Sequence, residues 1–484
     1  MAFRTRILAG ALAVTASIGA AQPSDGAAAA DAGTAAADPY TWLEEIQSER
    51  ALTWARQENA RTLGELQADP RYRPSYDRAL EILQARDRIP AVTFRADGLY
   101  NFWQDGDHVR GIVRRTTLAS YRTDAPQWET VLDVDALARA EDKGWVYQGM
   151  TCLPPEERRC LVFLSDGGRD ANVAREFDLA ERRFVDRGFD LPEGKQMVAW
   201  LDADTLLVAR DWGPGTMTAS GYPFVVKRLR RGQPLDQAVE LYRGTPEDVL
   251  VAPTVMRDSD GRVHGVGAYR SIDFFRSEHV LFRDGGHVAL PLPPRAAVRG
   301  IVDGRVIFTI DEAWTPAPGR TFAPDSVLSW DLAEWERDPL TAPPSLVWAP
   351  GPRQTLSGLA TTHGRLLLTM LDNVRGRAFA FDYVDGAWRS TPVALPQNAS
   401  IEVSAASDQD EQAMFSVTGF LTPTTLWHYD GASGALETIK TTPPRFDASR
   451  HVVEQFEAES RDGTRIPYFL IRPRGMRMDA TTPT

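Results

Sequence analysis

Residues 160–212 read CLVFLSDGGRDANVAREFDLAERRFVDRGFDLPEGKQMVAWLDADTLLVARDW. Short apolar runs alternate here with polar turns: residues 161–164 stop at Asp166-Gly167-Gly168, and residues 205–210 resume after Asp202-Ala203-Asp204. A further break is expected at Pro192-Glu193-Gly194. Strands of about 4–7 residues between Asp- and Gly-containing turns are typical of antiparallel hairpins in series. The stretch therefore predicts an all-β array.

The same pattern continues on both sides of this stretch. Asp-Gly pairs recur at 97–98, 105–106, 166–167, 260–261, 284–285, 303–304, 385–386 and 430–431, with apolar runs such as 109–113 and 306–310 between them. The region 91–441 spans roughly 350 residues, which at about 40–50 residues for each four-stranded blade predicts a seven-bladed β-propeller. Several sandwich domains are the alternative, but no linkers separate them.

The flanks of the β region have a different character. Apolar residues at approximately helical spacing predict two helices within residues 38–90, separated by Asp69-Pro70 and ended by Pro90. At the other end, residues 452–456 and 466–471 predict a hairpin around Asp462-Gly463. A two-stranded hairpin is marginally stable by itself, so residues 442–484 are expected to open another, incomplete domain.

The N-terminus has the features of an export signal. Arg4 and Arg6 precede an apolar, small-residue run that ends at Gly19-Ala20-Ala21. We expect residues 1–21 to be a signal peptide, because the run is shorter than the ~20 residues that an N-terminal membrane anchor, the alternative, requires. Residues 22–37 are rich in Ala, Gly and Asp and predict a disordered linker. The protein is expected to be periplasmic or secreted.

Composition excludes some partners. The 484 residues carry a formal net charge of −12. Nonspecific nucleic-acid binding needs a basic field, so no nucleic-acid partner is expected. No other stretch is long and apolar enough to cross a membrane, so no membrane partner is expected either.

Two cysteines, Cys152 and Cys160, lie in TCLPPEERRC. In an exported protein such a pair is a candidate disulfide, and Pro154-Pro155 would turn the chain back between two strands. The alternative is two thiols, with at least one buried beside a strand. A metal site is not expected, because no histidines cluster nearby.

No recognisable catalytic motif occurs in the chain. The G-x-S-x-G nucleophile motif is absent, and Gly431-Ala432-Ser433-Gly434-Ala435 is predicted to be an ordinary hairpin turn. Residues 188–195 (GFDLPEGK) do not have phosphate-loop spacing. His279 and His287 flank a turn, and are expected to be solvated rather than paired. We therefore assign no catalytic residue, no cofactor-binding residue, no metal ligand and no cofactor.

Several segments nevertheless resemble one family. DPYTWLEE at 38–45 resembles the opening of the prolyl oligopeptidase family of serine peptidases, and ESRDGTRIPYFLIRPRGM at 459–476 resembles the hairpin where that family re-enters its peptidase domain. LSDGGRDANVAREFDL, GFDLPEGKQMVAWLDADTLLVARDWG and TASGYPFVVKRLRRG resemble propeller segments of its bacterial members. The likeness spans about residues 38–484.

The resemblance implies an enzyme that cleaves short peptides after proline. It further implies an α/β-hydrolase domain capped by a seven-bladed propeller that limits substrate size, with helices and hairpin packed on the hydrolase core. The family's Ser, Asp and His follow the re-entry hairpin, and no position here matches them. We therefore expect a fragment that is inactive alone and whose partner is a peptidase domain, in cis or in trans. A free-standing, noncatalytic propeller that binds other molecules is the alternative.

Overall fold

The computed structural model describes residues 38–45, 48–477 and 479. A boundary between Ala85 and Arg86 separates two compact units. The predicted signal peptide, residues 1–21, and the predicted linker, residues 22–37, lie outside the described residues.

The smaller unit is helical. A short 3-10 turn, Thr41–Glu44, precedes α1 (Glu49–Ala68) and α2 (Tyr72–Leu83). Ser48 caps α1, because its hydroxyl oxygen accepts a hydrogen bond from the Ala51 amide at 3.2 Å. The two helices agree with the spacing of apolar residues in the sequence.

The larger unit is a seven-bladed propeller, and each blade is an antiparallel sheet whose strands follow one another in the chain. Blades 1 and 2 contain β1 (Thr93–Arg95), β2 (Gly98–Trp103), β3 (Ile112–Thr116) and β4 (Glu129–Asp133), then β5 (Trp145–Cys152), β6 (Arg159–Asp166), β7 (Asn172–Asp178), β8 (Arg183–Phe184) and β9 (Asp190–Gly194). Blades 3 and 4 contain β10 (Gln196–Asp202), β11 (Thr205–Arg210), β12 (Val225–Arg230) and β13 (Val239–Arg243), then β14 (Leu250–Arg257), β15 (Val263–Ser271), β16 (Ser277–Arg283) and β17 (Gly286–Ala289).

Blades 5 to 7 follow the same plan. Blade 5 contains β18 (Ala296–Val302), β19 (Arg305–Ile310), β22 (Ser326–Asp331) and β23 (Ser345–Trp348), with a separate hairpin, β20 (Trp314–Ala317) and β21 (Arg320–Phe322), inserted before β22. Blades 6 and 7 contain β24 (Gln354–Thr361), β25 (Leu366–Asp372), β26 (Arg375–Val384) and β27 (Ala387–Pro392), then β28 (Ala399–Ala406), β29 (Gln412–Gly419), β30 (Thr425–Asp430) and β31 (Ala435–Thr441).

Short helices occupy some of the connections. They are α3 (Leu118–Tyr121), α4 (Val134–Glu141), α5 (Leu332–Arg337) and a 3-10 turn at Leu235–Gln237. A final hairpin, β32 (His451–Glu459) and β33 (Arg465–Pro473), forms a sheet of its own after the last blade.

The core lies between successive blades, because each sheet packs against the next. All six residues of β11 are buried, and the four central ones, residues 206–209, are a continuous apolar run instead of alternating. Between blades 4 and 5 the packing is aromatic: the Phe308 and Trp330 rings stack with centroids 4.1 Å apart, in a cluster that also contains Met256 and Trp335.

Asp-Gly turns connect many of these strands, as the sequence predicted. Asp303 and Gly304 join β18 to β19 with φ of 46° and 65°, and Asp385 and Gly386 join β26 to β27 with φ of 52° and 79°. Two successive left-handed residues match the right-handed twist of a tight hairpin, and Asp and Gly tolerate that conformation best.

Two local predictions were wrong. Pro192-Glu193-Gly194 is not a break, since β9 pairs with β7 at the edge of the sheet, where a proline without an N–H is tolerated. The predicted strand over 109–113 begins only at Ile112, because Val109 lies exposed in the loop before it.

The ring closes by side-chain packing. Blade 1 and blade 7 are each built from one continuous segment, so they share no strand among the described residues. Val92, Leu99 and Tyr121 from the first blade form one apolar cluster with Met414 and Leu426 from the last. We call this cluster, together with Ala405, the seam.

Candidate functional site

The β32–β33 hairpin lies against one end of the propeller. In an antiparallel sheet the turns after the second and fourth strands lie at one end, and the turns after the first and third lie at the other. Gln455 of the hairpin donates from Nε2 to the Asn373 carbonyl at 2.8 Å and accepts from Arg375, on either side of the turn after the second strand of blade 6. Glu457 pairs with Arg353, just before the first strand of that blade. We call this end of the propeller the hairpin face and the other end the far face.

An aromatic contact also fixes the hairpin. Phe420 lies in the loop after β29, again after a second strand, and its ring centroid is 5.0 Å from that of Phe469. Gln455, Glu457 and Phe469 share one side of the hairpin, since Gln455 and Phe469 are register partners. This side therefore holds the hairpin on the propeller.

The other side of the hairpin is apolar and open. Phe456 pairs with Tyr468 across the strands, with ring centroids 5.8 Å apart, and Ile466 lies on the same side two residues before Tyr468. All three side chains are exposed; Ile466 is 50% exposed and Tyr468 is 46% exposed. A contiguous exposed apolar patch of this kind marks a docking surface. We call the side carrying Phe456, Ile466 and Tyr468 the outer side.

The helical unit, taken by itself, is also poor in buried residues. Ala51 is the one buried residue among the described residues of α1 and α2. Large apolar side chains are exposed along both helices, namely Trp54, Leu63, Leu66, Tyr76, Leu80, Ile82 and Leu83. Helices stay folded mainly by packing an apolar face, and here much of that apolar surface is exposed.

A recess of about 320 Å³ opens on the hairpin face between blades 1 and 2. Phe102 and Tyr147 stack in its wall with centroids 4.6 Å apart, and burial raises the pKa of the Tyr147 hydroxyl. Arg110 donates to the Trp145 carbonyl at 2.9 Å, and Asp135 accepts from the Arg110 and Gly111 amides. Arg110 and Asp135 are therefore held by hydrogen bonds to the backbone.

The two cysteines lie directly opposite each other in β5 and β6, and the structure joins them as a disulfide. Both are buried, in the cluster between blades 1 and 2. The bond closes the connection of residues 153–159 at its base. That this bond forms in solution stays a prediction.

The two histidines flanking the 284–286 turn are not a pair. His279 faces Tyr269, its register partner in β15, with ring centroids 5.4 Å apart, while His287 is exposed and lies edge-on to Tyr242. Burial lowers the pKa of His279 to about 4, and the nearby positive charge of Arg299 adds to the effect. The expectation of solvation was therefore wrong for His279, because its strand packs against the first strand of blade 5.

The remaining sequence candidates have structural roles. Ser433 lies in the turn between β30 and β31 and donates to Asp430 at 2.7 Å. Residues 188–195 form β9 and the approach to it. Within the part of the chain that the structure describes, no group of three or more His, Cys, Asp and Glu side chains is placed to hold a metal ion. No helix among those residues is both long enough and apolar enough to span a bilayer.

Fold and site together define a seven-bladed propeller with an extra hairpin on one face. Residues 21–442 match the family described as prolyl oligopeptidase, N-terminal beta-propeller domain. The chain therefore belongs to the prolyl oligopeptidase family.

Relatives of known sequence agree with this assignment. An uncharacterised peptidase of Sinorhizobium fredii is 44% identical over 452 residues, which are 92% of this chain and 62% of the relative. One of Rickettsia prowazekii is 26% identical over 460 residues, covering 92% of this chain and 63% of the relative. The chain thus spans less than two thirds of the length of the curated relatives it matches.

Solved structures share the fold. A post-proline cleaving enzyme from Rickettsia typhi superposes with a TM-score of 0.81 at 25% identity, covering 90% of this chain and 65% of that one. Oligopeptidase B from Leishmania major superposes with a TM-score of 0.68 at 14% identity, covering 91% and 61%. At that lower identity the likeness concerns the fold alone.

Sequence reasoning anticipated the hairpin but missed the recess and the division of the hairpin into two sides. The two sides can be found from the sequence of residues 452–471, because successive residues of a strand point to opposite sides. This alternation places Phe456, Ile466 and Tyr468 on the same side. The recess had no signal, because its walls come from two blades.

Proposed function

We propose that this chain is the size-limiting propeller of an exported serine peptidase that cleaves short peptides after proline. The observation that carries the proposal is the hairpin face: the propeller holds one side of the β32–β33 hairpin and leaves the outer side apolar and open. In this proposal an α/β-hydrolase domain covers the outer side and the exposed faces of α1 and α2. The post-proline cleaving enzyme from Rickettsia typhi supports the substrate class.

We further propose that residues 1–484 do not hydrolyse peptides by themselves. Acyl transfer needs a nucleophile, a base that activates it and donors that stabilise the oxyanion, and these groups together supply most of the rate enhancement. The sequence of 484 residues contains no G-x-S-x-G segment. The ionisable clusters of the propeller are bound to structural partners; His264, for example, bridges Asp258 and Glu336 at 2.7 Å each.

The physical basis of the size limit is the ring. Seven sheets arranged in a ring enclose a narrow central channel, and the space at its hairpin face admits a short extended peptide but not a folded protein. The recess between blades 1 and 2 opens on the hairpin face, where a peptide would approach the hydrolase domain. Its stacked Phe102 and Tyr147 suit an apolar peptide side chain.

Export is part of the proposal. A basic start followed by an apolar run and small residues over 1–21 supports it. The Cys152–Cys160 pair is consistent with export, because disulfides persist in oxidising compartments and are rare in the cytosol.

A direct test uses purified residues 22–484 and a chromogenic peptide with an Xaa-Pro scissile bond. We expect no turnover above buffer and no labelling by a fluorophosphonate, which reacts with activated serines. Hydrolysis of this peptide by residues 22–484 that a serine reagent abolishes would show that the proposal of inactivity is wrong.

The gene beyond codon 484 provides the second test. A reading frame, in the same or another phase, that runs into a G-x-S-x-G segment with later Asp and His supports the peptidase. Unrelated downstream sequence, together with hairpin residues that bind no hydrolase domain, would favour a free-standing binding module.

A further inference from the structure

The turns on the far face of the propeller contact one another across the channel mouth. The loop of residues 153–159, which ends on the first residue of β6, connects the first two strands of blade 2. Its Pro155 carbonyl accepts a hydrogen bond at 3.0 Å from Gln409 Nε2. Gln409 lies in the turn after the first strand of blade 7. Blade 1 separates blades 2 and 7, so these turns meet only by reaching inward, over the mouth of the channel.

A second contact joins blade 2 to blade 4. Gly261 lies in the turn after the first strand of blade 4 with φ of +83°, and a Cβ placed there would lie 2.6 Å from Pro155 Cδ. A side chain at this position would collide with the proline, so the turn packs directly on the 153–159 connection. Blade 3 stands between these two blades, which again requires an inward approach.

Two further hydrogen bonds connect the turns of blades 4, 6 and 7. Ser259, in the same turn as Gly261, donates from Oγ to the His363 carbonyl at 3.1 Å, and His363 belongs to the turn after the first strand of blade 6. The His363 amide in turn donates to the Asp410 carbonyl of blade 7 at 3.2 Å. The turns of blades 2, 4, 6 and 7 therefore form one connected network over the mouth.

The 153–159 connection is fixed at its base and along its length. The disulfide closes its two ends, and the Leu153 amide donates to the Arg159 carbonyl at 2.8 Å. Glu157 pairs with Arg95 of blade 1 at 3.1 Å, with side chains 17% and 11% exposed. Burial raises the pKa of Glu157, with Arg95 opposing and Asp408 adding to the rise.

We propose that residues 153–159, which we call the cross-mouth loop, close the far mouth of the propeller channel. The channel is then open only at the hairpin face. The consequence for substrates rests on the proposed function: peptides enter and leave at the hairpin face and never thread through the ring. The cross-mouth loop thereby contributes to the size limit, because a longer peptide cannot place its surplus length out through the far face.

The position of the cross-mouth loop can be tested without measuring peptide hydrolysis. In the double variant Pro155→Cys, Gln409→Cys of residues 22–484, a short bis-maleimide should cross-link blades 2 and 7, and peptide mass spectrometry identifies the linked peptides and separates them from any link to Cys152 or Cys160. A matched pair, Pro155→Cys with Asp385→Cys, carries its second thiol on a third-strand turn of blade 6 and should stay unlinked. A folded Pro155–Gln409 variant that remains unlinked, or equal linking of both pairs, would overturn the proposal.

The consequence for substrates is tested in a protein that also carries the hydrolase region. Cross-linking the Pro155–Gln409 pair should leave hydrolysis of short Xaa-Pro peptides unchanged, whereas replacing residues 154–158 by Gly-Ser should extend hydrolysis to longer peptides. A loss of short-peptide hydrolysis on cross-linking, or an unchanged size limit in the replaced loop, would overturn the role of the loop. Absence of hydrolysis in every form would contradict the proposed function and leave the cross-linking result standing.

Discussion

His279 lies in the third strand of blade 4, where neighbouring protein replaces the water that a charged imidazolium needs. Its ring contacts Tyr269, and its Nε2 atom is buried without a hydrogen-bond partner. Burial lowers its pKa to about 4 from an ordinary value of 6.5, and Arg299 contributes in the same direction. The side chain is therefore neutral in the folded protein at pH values where it is charged in the unfolded chain.

This difference links His279 to the pH dependence of stability. Because the pKa of His279 is lower in the folded protein, its neutral ring contributes its full stabilisation above pH 6.5. As the pH falls from 6.5 through 4, this contribution to the free energy of unfolding, on the order of 3 kcal/mol, is lost. In His279→Phe the free energy of unfolding, measured in urea between pH 7.5 and 4.5, should fall less steeply than in the unaltered protein. His287→Phe, on the neighbouring strand, is the control and should keep the original slope. Equal slopes in the unaltered protein and His279→Phe would contradict the argument.

The two histidines also show what sequence reveals at this scale. Both flank the same Asp-Gly-Gly turn, and nothing local distinguishes them. What separates them is the neighbouring sheet: His279 lies beside Ala296 and Arg299 of blade 5, whereas His287 is exposed. The burial of His279 depends on a part of the chain that is distant in sequence. The residues next to it therefore carry no sign of this burial, and a prediction from them alone is wrong.

Single elements were more predictable. The Asp-Gly pairs and the apolar runs between them located most strands, because a two-residue hairpin needs left-handed backbone that Asp and Gly supply. The β20–β21 insertion was not predicted, since it carries no Asp-Gly turn. The helices α1 and α2 and the final hairpin were predicted from period 3.6 and period 2.

The β32–β33 hairpin makes a prediction that separates its two sides. Phe469 contacts Phe420 on the propeller, whereas its neighbour Tyr468 points to the open outer side. Phe469→Ser should speed hydrogen exchange of both hairpin strands by about fivefold, since an aromatic contact is worth about 1 kcal/mol. Ile466→Ser, at an exposed position on the outer side, should leave this exchange unchanged within about a factor of two. The measurement is amide exchange followed by mass spectrometry on residues 22–484, and a larger effect of Ile466→Ser would show that the sides are misassigned.

The disulfide is the second element with a measurable consequence. Cys152 and Cys160 are separated by 8 positions, and closing so short a loop restricts the unfolded chain by about 2–3 kcal/mol. The double variant Cys152→Ala, Cys160→Ala should lower the free energy of unfolding by about that amount. Thiol counting on the denatured, unreduced protein should find no free thiol, and two reactive thiols would show that the bond does not form in solution.

At the scale of the molecule, the number of blades was predictable from the sequence, and the way the ring closes was not. The length of the β region, divided by the usual length of a four-stranded blade, predicted seven sheets, because each blade is local in sequence. Closure joins residues more than 300 positions apart, such as Leu99 and Met414, through side-chain packing. The polar contacts across the same boundary, such as the Arg122–Glu437 pair, are half exposed.

The balance between these two kinds of contact gives the last prediction. Leu99 and Met414 are fully buried in the seam, so Leu99→Ala or Met414→Ala leaves a cavity and should lower the free energy of unfolding by about 2–5 kcal/mol. Arg122→Ala removes an exposed ion pair and should cost less than about 1 kcal/mol, and Leu346→Ala, on the exposed edge of blade 5, should cost less than about 0.5 kcal/mol. Urea unfolding of the four variants measures how far each substitution lowers the free energy of unfolding and so ranks them. A cost for Arg122→Ala equal to that for Leu99→Ala would mean that charge, rather than apolar packing, holds the first and last blades together.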